Sequence, residues 1–373
     1  LNRPPWPAGE GSHVSEKEKE KISRRTFLKR TVAAGAAVGL ALATRTSAYA
    51  QQQDRSREDK LTASLIDLTK CDGCQGYDTP LCVTACREKN EHRFPEPEKP
   101  IKDYWPQKRH EDWSEQRDRT DRLTPYNWTY VEKVDVYVNG QTKQVSIPRR
   151  CMHCLDAPCQ KLCPFGVIHK TEHGAVTIDP DFCMGGSKCR DVCPWGIPQR
   201  QAGVGLYLKL VPELAGGGVM YKCDMCADLL AQGEKPACET ACPKDAIIFG
   251  PYHEIREEAY RRAEAIGGYV YGDKENGGTL TFYVSDVPFA AIDEAITKKK
   301  EAENDTKPGR PHMRPEVENV LDSAYGMMWA TLLAPVAGAA AAGITVYKTI
   351  SGKRDKGERN REQTPQGETE NKG

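Results

Sequence analysis

The chain has 373 residues, enough for two or three domains of roughly 100–200 residues each. Lys plus Arg and Asp plus Glu both number 53, so the formal net charge is zero, which excludes a nucleic-acid binder held by a strong basic field. Only 38% of the residues are hydrophobic, whereas 15 are cysteine, all between Cys71 and Cys242, so cysteine chemistry has to supplement core packing.

Residues 1–50 read as an export signal. Ser23-Arg24-Arg25-Thr26-Phe27-Leu28-Lys29 sets two arginines before an uncharged stretch from Thr31 to Thr44, and Ala48-Tyr49-Ala50 supplies a small-x-small cleavage pattern, giving Gln51 as the mature start. The segment resembles twin-arginine signals, which implies export of an already folded, cofactor-loaded protein. A linker over 51–63 precedes the main domain, 64–296, whose first expected strand, Ser64–Leu68, runs into the first cysteine group.

That group is Cys71-x2-Cys74-x7-Cys82-x3-Cys86. Residues 87–150 form an insertion. Its Pro- and Trp-rich stretch, Phe94–Trp113, reads equally as an irregular arm against a partner or as a solvated loop. Val131–Val138 and Gln144–Ile147 alternate about Asn139-Gly140, which predicts a hairpin. The second group is Cys151-x2-Cys154-x4-Cys159-x3-Cys163-Pro164, in which His153 reads as packing behind the thiols rather than as a ligand. A short strand, Ala175–Asp179, leads to the third group, Cys183-x5-Cys189-x3-Cys193-Pro194. Gly203-x-Gly205 lacks a third glycine and Gly216-Gly217-Gly218 lacks a following Lys-Ser/Thr, so neither is a nucleotide loop. The fourth group is Cys223-x2-Cys226-x11-Cys238-x3-Cys242-Pro243.

Beyond the cysteines, Glu254–Ile266 reads as an amphipathic helix with Ile255, Ala259, Ala263 and Ile266 on one side, ended by Gly267-Gly268. Residues 297–322, rich in Lys, Glu and Pro as far as Pro311, read as a tether. Ser323–Tyr347 is 25 residues without a charge, long enough for one transmembrane helix, with a small-residue centre and Pro335 as a kink. Lys348, Lys353, Arg354 and Lys356 place its end in the cytoplasm, so the expected location is the inner membrane, single-pass, with the main domain in the periplasm and a polar tail at 348–373.

Every cysteine group ends in C-x3-C, and three of the four continue with Pro: an internal repeat of uneven period. A CxxC turn directs two thiolates and several N–H groups at one cluster corner. The third Cys closes that cluster, and the fourth, opening a short helix, reaches the neighbouring one. The third group departs from the run, because Gly186 stands where its second Cys belongs. Fifteen ligands are three sets of four and one of three, which predicts three [4Fe–4S] clusters and one [3Fe–4S] cluster. A four-iron cluster with water or hydroxide at the Gly186 position is the rival. Zinc ribbons also use CxxC pairs, but two pairs suffice for one zinc and C-x3-C-P is rare there. A disulfide scaffold leaves one thiol over and does not need folded export.

The four groups resemble the four-cluster ferredoxin-like electron-transfer subunits of membrane-bound oxidoreductases, over roughly Ser64–Ala291 and most specifically at Cys151-Met-His-Cys154 and from Lys222-Cys-Asp-Met-Cys226 to Pro243. The resemblance implies an α+β fold of tandem ferredoxin-like domains, here with the C-terminal transmembrane helix. It implies that the outer groups pair and the inner groups pair: Cys71, Cys74, Cys82 and Cys242 for one cluster; Cys223, Cys226, Cys238 and Cys86 for the next; Cys151, Cys154, Cys159 and Cys193 for a third; Cys183, Cys189 and Cys163 for the three-iron site, whose potential is the highest. The seven residues before Cys82, where two are usual, depart from the pattern. Ala246–Gly250, Tyr271–Thr279 and Val287–Phe289, together with the signal and the span, make the chain most similar to the version serving periplasmic [NiFe] hydrogenases, with formate dehydrogenase and other molybdopterin-enzyme subunits next. The implied role is non-catalytic: a relay of single electrons between a periplasmic catalytic subunit and a quinone-reactive integral membrane subunit. An enzyme working at the open iron, and a cysteine-rich structural anchor, are the alternatives.

Overall fold

The computed structural model describes residues 60–103, 110–211, 217–322 and 325. Its principal sheet has four strands, β1 (Thr62–Asp67), β8 (Ile247–Pro251), β9 (Tyr269–Tyr271) and β10 (Thr281–Ser285), in the order β8-β1-β10-β9. The central pair, β1 and β10, is parallel, and the two edge pairings are antiparallel. Alternation divides the central strands between two cores. Ala63, Leu65, Phe282 and Val284 pack with Tyr252, Ile255, Ala259 and Ala263 of a helix over Tyr252–Ile266, while Ile66 and Tyr283 belong to the larger core around the cysteines. That helix ends at Gly267, whose φ of 60° only a residue without Cβ adopts freely. Ile266, expected on the apolar side, is exposed, because the last turn has already left the sheet.

The hairpin is β2 (Tyr130–Val138) against β3 (Gln141–Arg149), with Asn139 and Gly140 both at positive φ, the geometry that matches the twist of the flanking strands. Two short antiparallel pairs, β4 (Ile168–Lys170) with β5 (Val176–Ile178) and β6 (Gln199–Gln201) with β7 (Val219–Tyr221), follow the second cysteine group and flank the third in sequence. Helical turns at Leu81–Asn90, Pro158–Lys161, Lys188–Asp191 and Ala237–Thr240 hold the C-x3-C endings. The result is the expected α+β arrangement of short strand–loop–helix units. The strand β1 begins at Thr62, inside the expected linker, and stops before Leu68.

Two stretches differ from expectation. The arm Phe94–Trp113 lies, where described, on its own chain: Glu98 N–H donates to Gly203 O (2.8 Å), Ala202 N–H to Glu111 O (2.8 Å) and Trp113 N–H to Gln201 Oε1 (2.9 Å). The stretch 297–322 is not a free tether. A helix over Phe289–Ala302 includes its start, after which Arg310, Met313 and Leu321 are buried. The cause is Glu132 of β2, a buried carboxylate paired with Arg310 at 2.8 Å, while Asp305 pairs with the buried Arg122 at 2.7 Å. A buried charge without a partner is costly, so these pairs pin the stretch down as a strap. Among the described residues no helix is long and apolar enough to cross a membrane. The expected signal at 1–50, the tail at 348–373 and, apart from Tyr325, the expected span at 323–347 lie outside the described residues.

Candidate metal-cluster site

The CxxC turns are built by left-handed residues: Gly73 and Cys74, His153, Met225 and Cys226 all have positive φ. In the outer two turns an aspartate stabilises the bend. Cys74 N–H donates to Asp72 Oδ1 (2.8 Å) and Cys226 N–H to Asp224 Oδ1 (2.9 Å), the same Asx turn in Cys71-Asp-Gly-Cys74 and Cys223-Asp-Met-Cys226. The turned backbone points N–H groups at sulfur, as with Met225 N–H to Cys223 Sγ (3.4 Å) and Met220 N–H to Cys183 Sγ (3.5 Å). Gly73 takes a left-handed φ of 70° that disfavours any side chain, and a Cβ there would lie 2.7 Å from Ser146 Oγ.

All fifteen cysteines are free thiols. They gather in four sets. Cys71, Cys74, Cys82 and Cys242 line one cavity, Cys86, Cys223, Cys226 and Cys238 a second, and Cys151, Cys154, Cys159 and Cys193 a third. The three cavities are of one size, about 340, 340 and 360 Å³ of open space. Cys163, Cys183 and Cys189 remain as the fourth set: after burial, Cys163 adds to the rise at Cys183, and Cys159 of the third set, Cys183 and Cys163 add to that at Cys189. Electrostatic contacts link successive sets: Cys82 with Cys238, Cys223 with Cys151, and Cys189 with Cys159. Gly186 lies exposed beside the fourth set, and a Cβ there would meet only Phe165 Cε2, at 3.7 Å. The long x7 gap before Cys82 is absorbed in a loop and does not keep that thiol from its set.

Burial pushes the thiols up: Cys71, Cys193 and Cys238 to about 11, Cys159 and Cys226 to about 12, with neighbouring thiols adding to the rise. Thiolates crowded in this way need strong cations among them. Among the described residues no three of His, Cys, Asp and Glu converge tightly enough to hold a single metal ion. A polynuclear group filling each cavity suits the donors better than zinc.

Buried cations stand behind the sulfurs. Arg150 lines the second cavity, with its guanidinium 4.9 Å from the Phe249 ring centroid and Nη2 donating to Ser64 Oγ (2.5 Å). Its Nε and Nη1 find no protein acceptor, which is expected of a donor facing a negatively charged cluster. In the same cavity Asn90 Nδ2 donates to Cys86 O (2.8 Å) and approaches Cys86 Sγ at 3.7 Å. Lys222 lines the third cavity and donates to the carbonyls of Val176 and Cys223. Burial raises the pKa of the Cys183 thiol, and Arg200 opposes part of that rise. His153 is buried and accepts the Val176 N–H at Nδ1 (2.9 Å). Burial and the cations Lys222, Arg150 and Lys170 hold its pKa well below the ordinary histidine range. Sequence reasoning misses the buried cations. The available signal is a basic residue directly before a CxxC, as in Arg150-Cys151 and Lys222-Cys223.

Residues 142–252 match a family described as a 4Fe–4S dicluster domain, and residues 70–167 match a second family of the same description. Hydrogenase-2 operon protein HybA of Escherichia coli O157:H7 is 28% identical over 310 residues, which are 73% of this chain and 83% of that protein. The B subunit of anaerobic dimethyl sulfoxide reductase of Escherichia coli (strain K12) is 41% identical over 108 residues, 29% of this chain and 46% of that one, so the match spans less than half of that relative. The nitrate-inducible formate dehydrogenase iron–sulfur subunit of Escherichia coli (strain K12) is 31% identical over 229 residues, 60% of this chain and 67% of the relative.

Proposed function

This chain belongs to the ferredoxin-type iron–sulfur proteins with 4Fe–4S dicluster domains, and on that footing we propose that it is a non-catalytic electron-transfer subunit with three [4Fe–4S] clusters and one [3Fe–4S] cluster. The observation that carries the reading is that twelve of the fifteen thiols line three cavities, four to each, which leaves Cys163, Cys183 and Cys189 for a three-ligand site. When bound, such clusters supply one-electron Fe(III)/Fe(II) changes at potentials set by cluster type, burial and hydrogen bonds to sulfur. The chain's own residues hold the cysteines in left-handed turns, aim N–H groups at sulfur and place Arg150 and Lys222 where negative charge gathers. Exposed Gly186 leaves the fourth set one ligand short, and this is the support for three irons there.

In this reading the partners are a catalytic redox subunit, a hydrogenase or a molybdopterin enzyme such as formate dehydrogenase, and an integral quinone-reactive membrane subunit. The similarity to the hydrogenase-2 operon protein over 83% of its length favours the first. The twin arginine at 24–25 and the uncharged 323–347 support a membrane-anchored protein whose main domain faces the periplasm. The test is low-temperature EPR on anaerobically purified, mildly oxidised protein with iron measured on the same sample. A near-isotropic three-iron signal with about fifteen irons per chain, one per Cys, is expected. About sixteen irons with a silent spectrum would put a complete cubane at Gly186. Iron-free protein would remove the relay altogether.

A further inference from the structure

Asn276 is fully buried at a positive φ of 53°, in a loop that crosses the third cysteine set. The loop is fastened there by backbone: Cys154 bridges to Thr279, and Leu155 N–H donates to Gly278 O (3.0 Å). The asparagine's other groups are taken by the end of the strap. Its N–H donates to Val317 O (2.7 Å), and its Oδ1 accepts the Val320 N–H (3.1 Å). The neighbouring Glu275 Oε1 accepts the Glu316 N–H (3.2 Å). Further along, Tyr325 OH donates to Asp156 Oδ2 (3.1 Å), and the Lys161 ammonium lies 5.0 Å from the Tyr325 ring centroid. One side-chain group of Asn276 is left: Nδ2, buried and without a hydrogen-bond partner among the described residues. That side chain lies beside the Cys154 thiol. In the second cavity Asn90 already presents an Nδ2 to a cysteine sulfur.

We propose that Asn276 is a positioning residue that donates its Nδ2–H to the Cys154 sulfur, raising the potential of the third centre, and that the strap Glu316–Asp322 holds it in that pose. A thiolate bound to iron is a far better acceptor than the thiol, so the orphaned donor gains its partner when the centre is assembled. A donor to sulfur stabilises the reduced, more negative state.

The inference rests on the third cavity holding a [4Fe–4S] cluster, and iron content of the unaltered protein tests that part separately. EPR-monitored redox titration of the loaded full chain then compares the unaltered protein with Asn276→Gly and Val320→Pro. Glycine accepts the left-handed backbone and removes the donor without adding charge. Proline removes the N–H that Asn276 Oδ1 accepts and leaves the asparagine in place. In N276G one four-iron potential moves down and the others stay, the shifted centre being the one whose signal Cys154→Ser alters. V320P moves the same potential in the same direction by less. Unchanged potentials in N276G, or a shift shared by all centres, overturn the proposal, and a silent V320P overturns the part played by the strap. Should N276G take up no iron, N276A, which removes the donor without adding charge, decides instead.

Discussion

The third and fourth cysteine sets are neighbours of opposite character. The third has four thiols in a cavity walled by Pro158, Pro194, Trp195, Ile197 and Lys222, and the strap covers it from outside, with His312 donating from Nε2 to Pro194 O at 2.7 Å. The fourth has three thiols, an exposed glycine where a ligand belongs, and half-exposed Phe165 beside it. The contrast in shielding lies at the missing ligand and not at the thiols, since Cys183 and Cys189 are buried while Cys159 and Cys193 are half-buried. A site with four thiolates leaves no metal position open and can be closed by protein on all sides, whereas the three-thiolate site meets solvent where its ligand is missing.

Removing a ligand should therefore have unequal consequences. Cys189→Ala leaves the fourth set with two thiols, too few to retain a cluster, so iron falls by about three per chain and the near-isotropic signal disappears. Cys193→Ala turns the third set into a copy of the fourth: iron falls by only about one, and a second three-iron signal appears. Equal losses in the two variants would show that thiol count does not govern cluster type here. The mirror change, Gly186→Cys, has room for its side chain, since only Phe165 Cε2 comes near, at 3.7 Å, and the φ of that residue is not left-handed. Iron should rise by about one and the isotropic signal should vanish. A signal that persists at unchanged iron content would mean that the Gly186 loop does not aim its side chain at the open position.

Much of this contrast is written locally and can be read from the chain. The CxxC and C-x3-C-P spacings are short-range chemistry, and Gly186 declares itself as a gap in a repeat. Asn139-Gly140 fixes a hairpin for the same reason. Which group joins which is a different matter, because Cys242 meets Cys71 across the whole domain and spacing carries no information about that; the family resemblance supplies it. The buried Arg150 and Lys222 escape notice because a cation on an apolar wall looks like surface in any hydropathy pattern, and only the charge of the group it faces makes burial tolerable. The strap is misjudged for a related reason. Lys, Glu and Pro over 297–311 read as solvated, but Arg310 finds Glu132 across 178 residues, a pairing no local composition reveals. The helix over Tyr252–Ile266 is legible except at Ile266, where the glycine that ends it also turns the last side chain outward.

The smallest expected effect concerns the cover itself. His312 is held neutral: burial lowers its pKa below the usual 6.5, Nε2–H donates to Pro194 O, and Nδ1 accepts the Arg314 N–H at 3.1 Å. The unfolded chain, with the ordinary pKa, takes up its proton first as the solution is acidified. Stability from this residue is therefore present at neutral pH and lost as pH falls through about 6.5 and below. Protonation also removes the acceptor of the Arg314 N–H, so the loss is on the order of 1 kcal/mol, one hydrogen bond's worth. His312→Asn cannot titrate in this range. In thermal unfolding of the loaded protein, the stability gap between the unaltered chain and the variant should narrow from pH 7.5 to pH 5.5. The third centre of the unaltered chain should also lose its EPR signal to oxygen faster at the lower pH, while the fourth, uncovered at either pH, changes little. A gap that stays constant would detach His312 from the cover, and equal acceleration at both centres would mean that acid opens the domain as a whole rather than the strap over the third set.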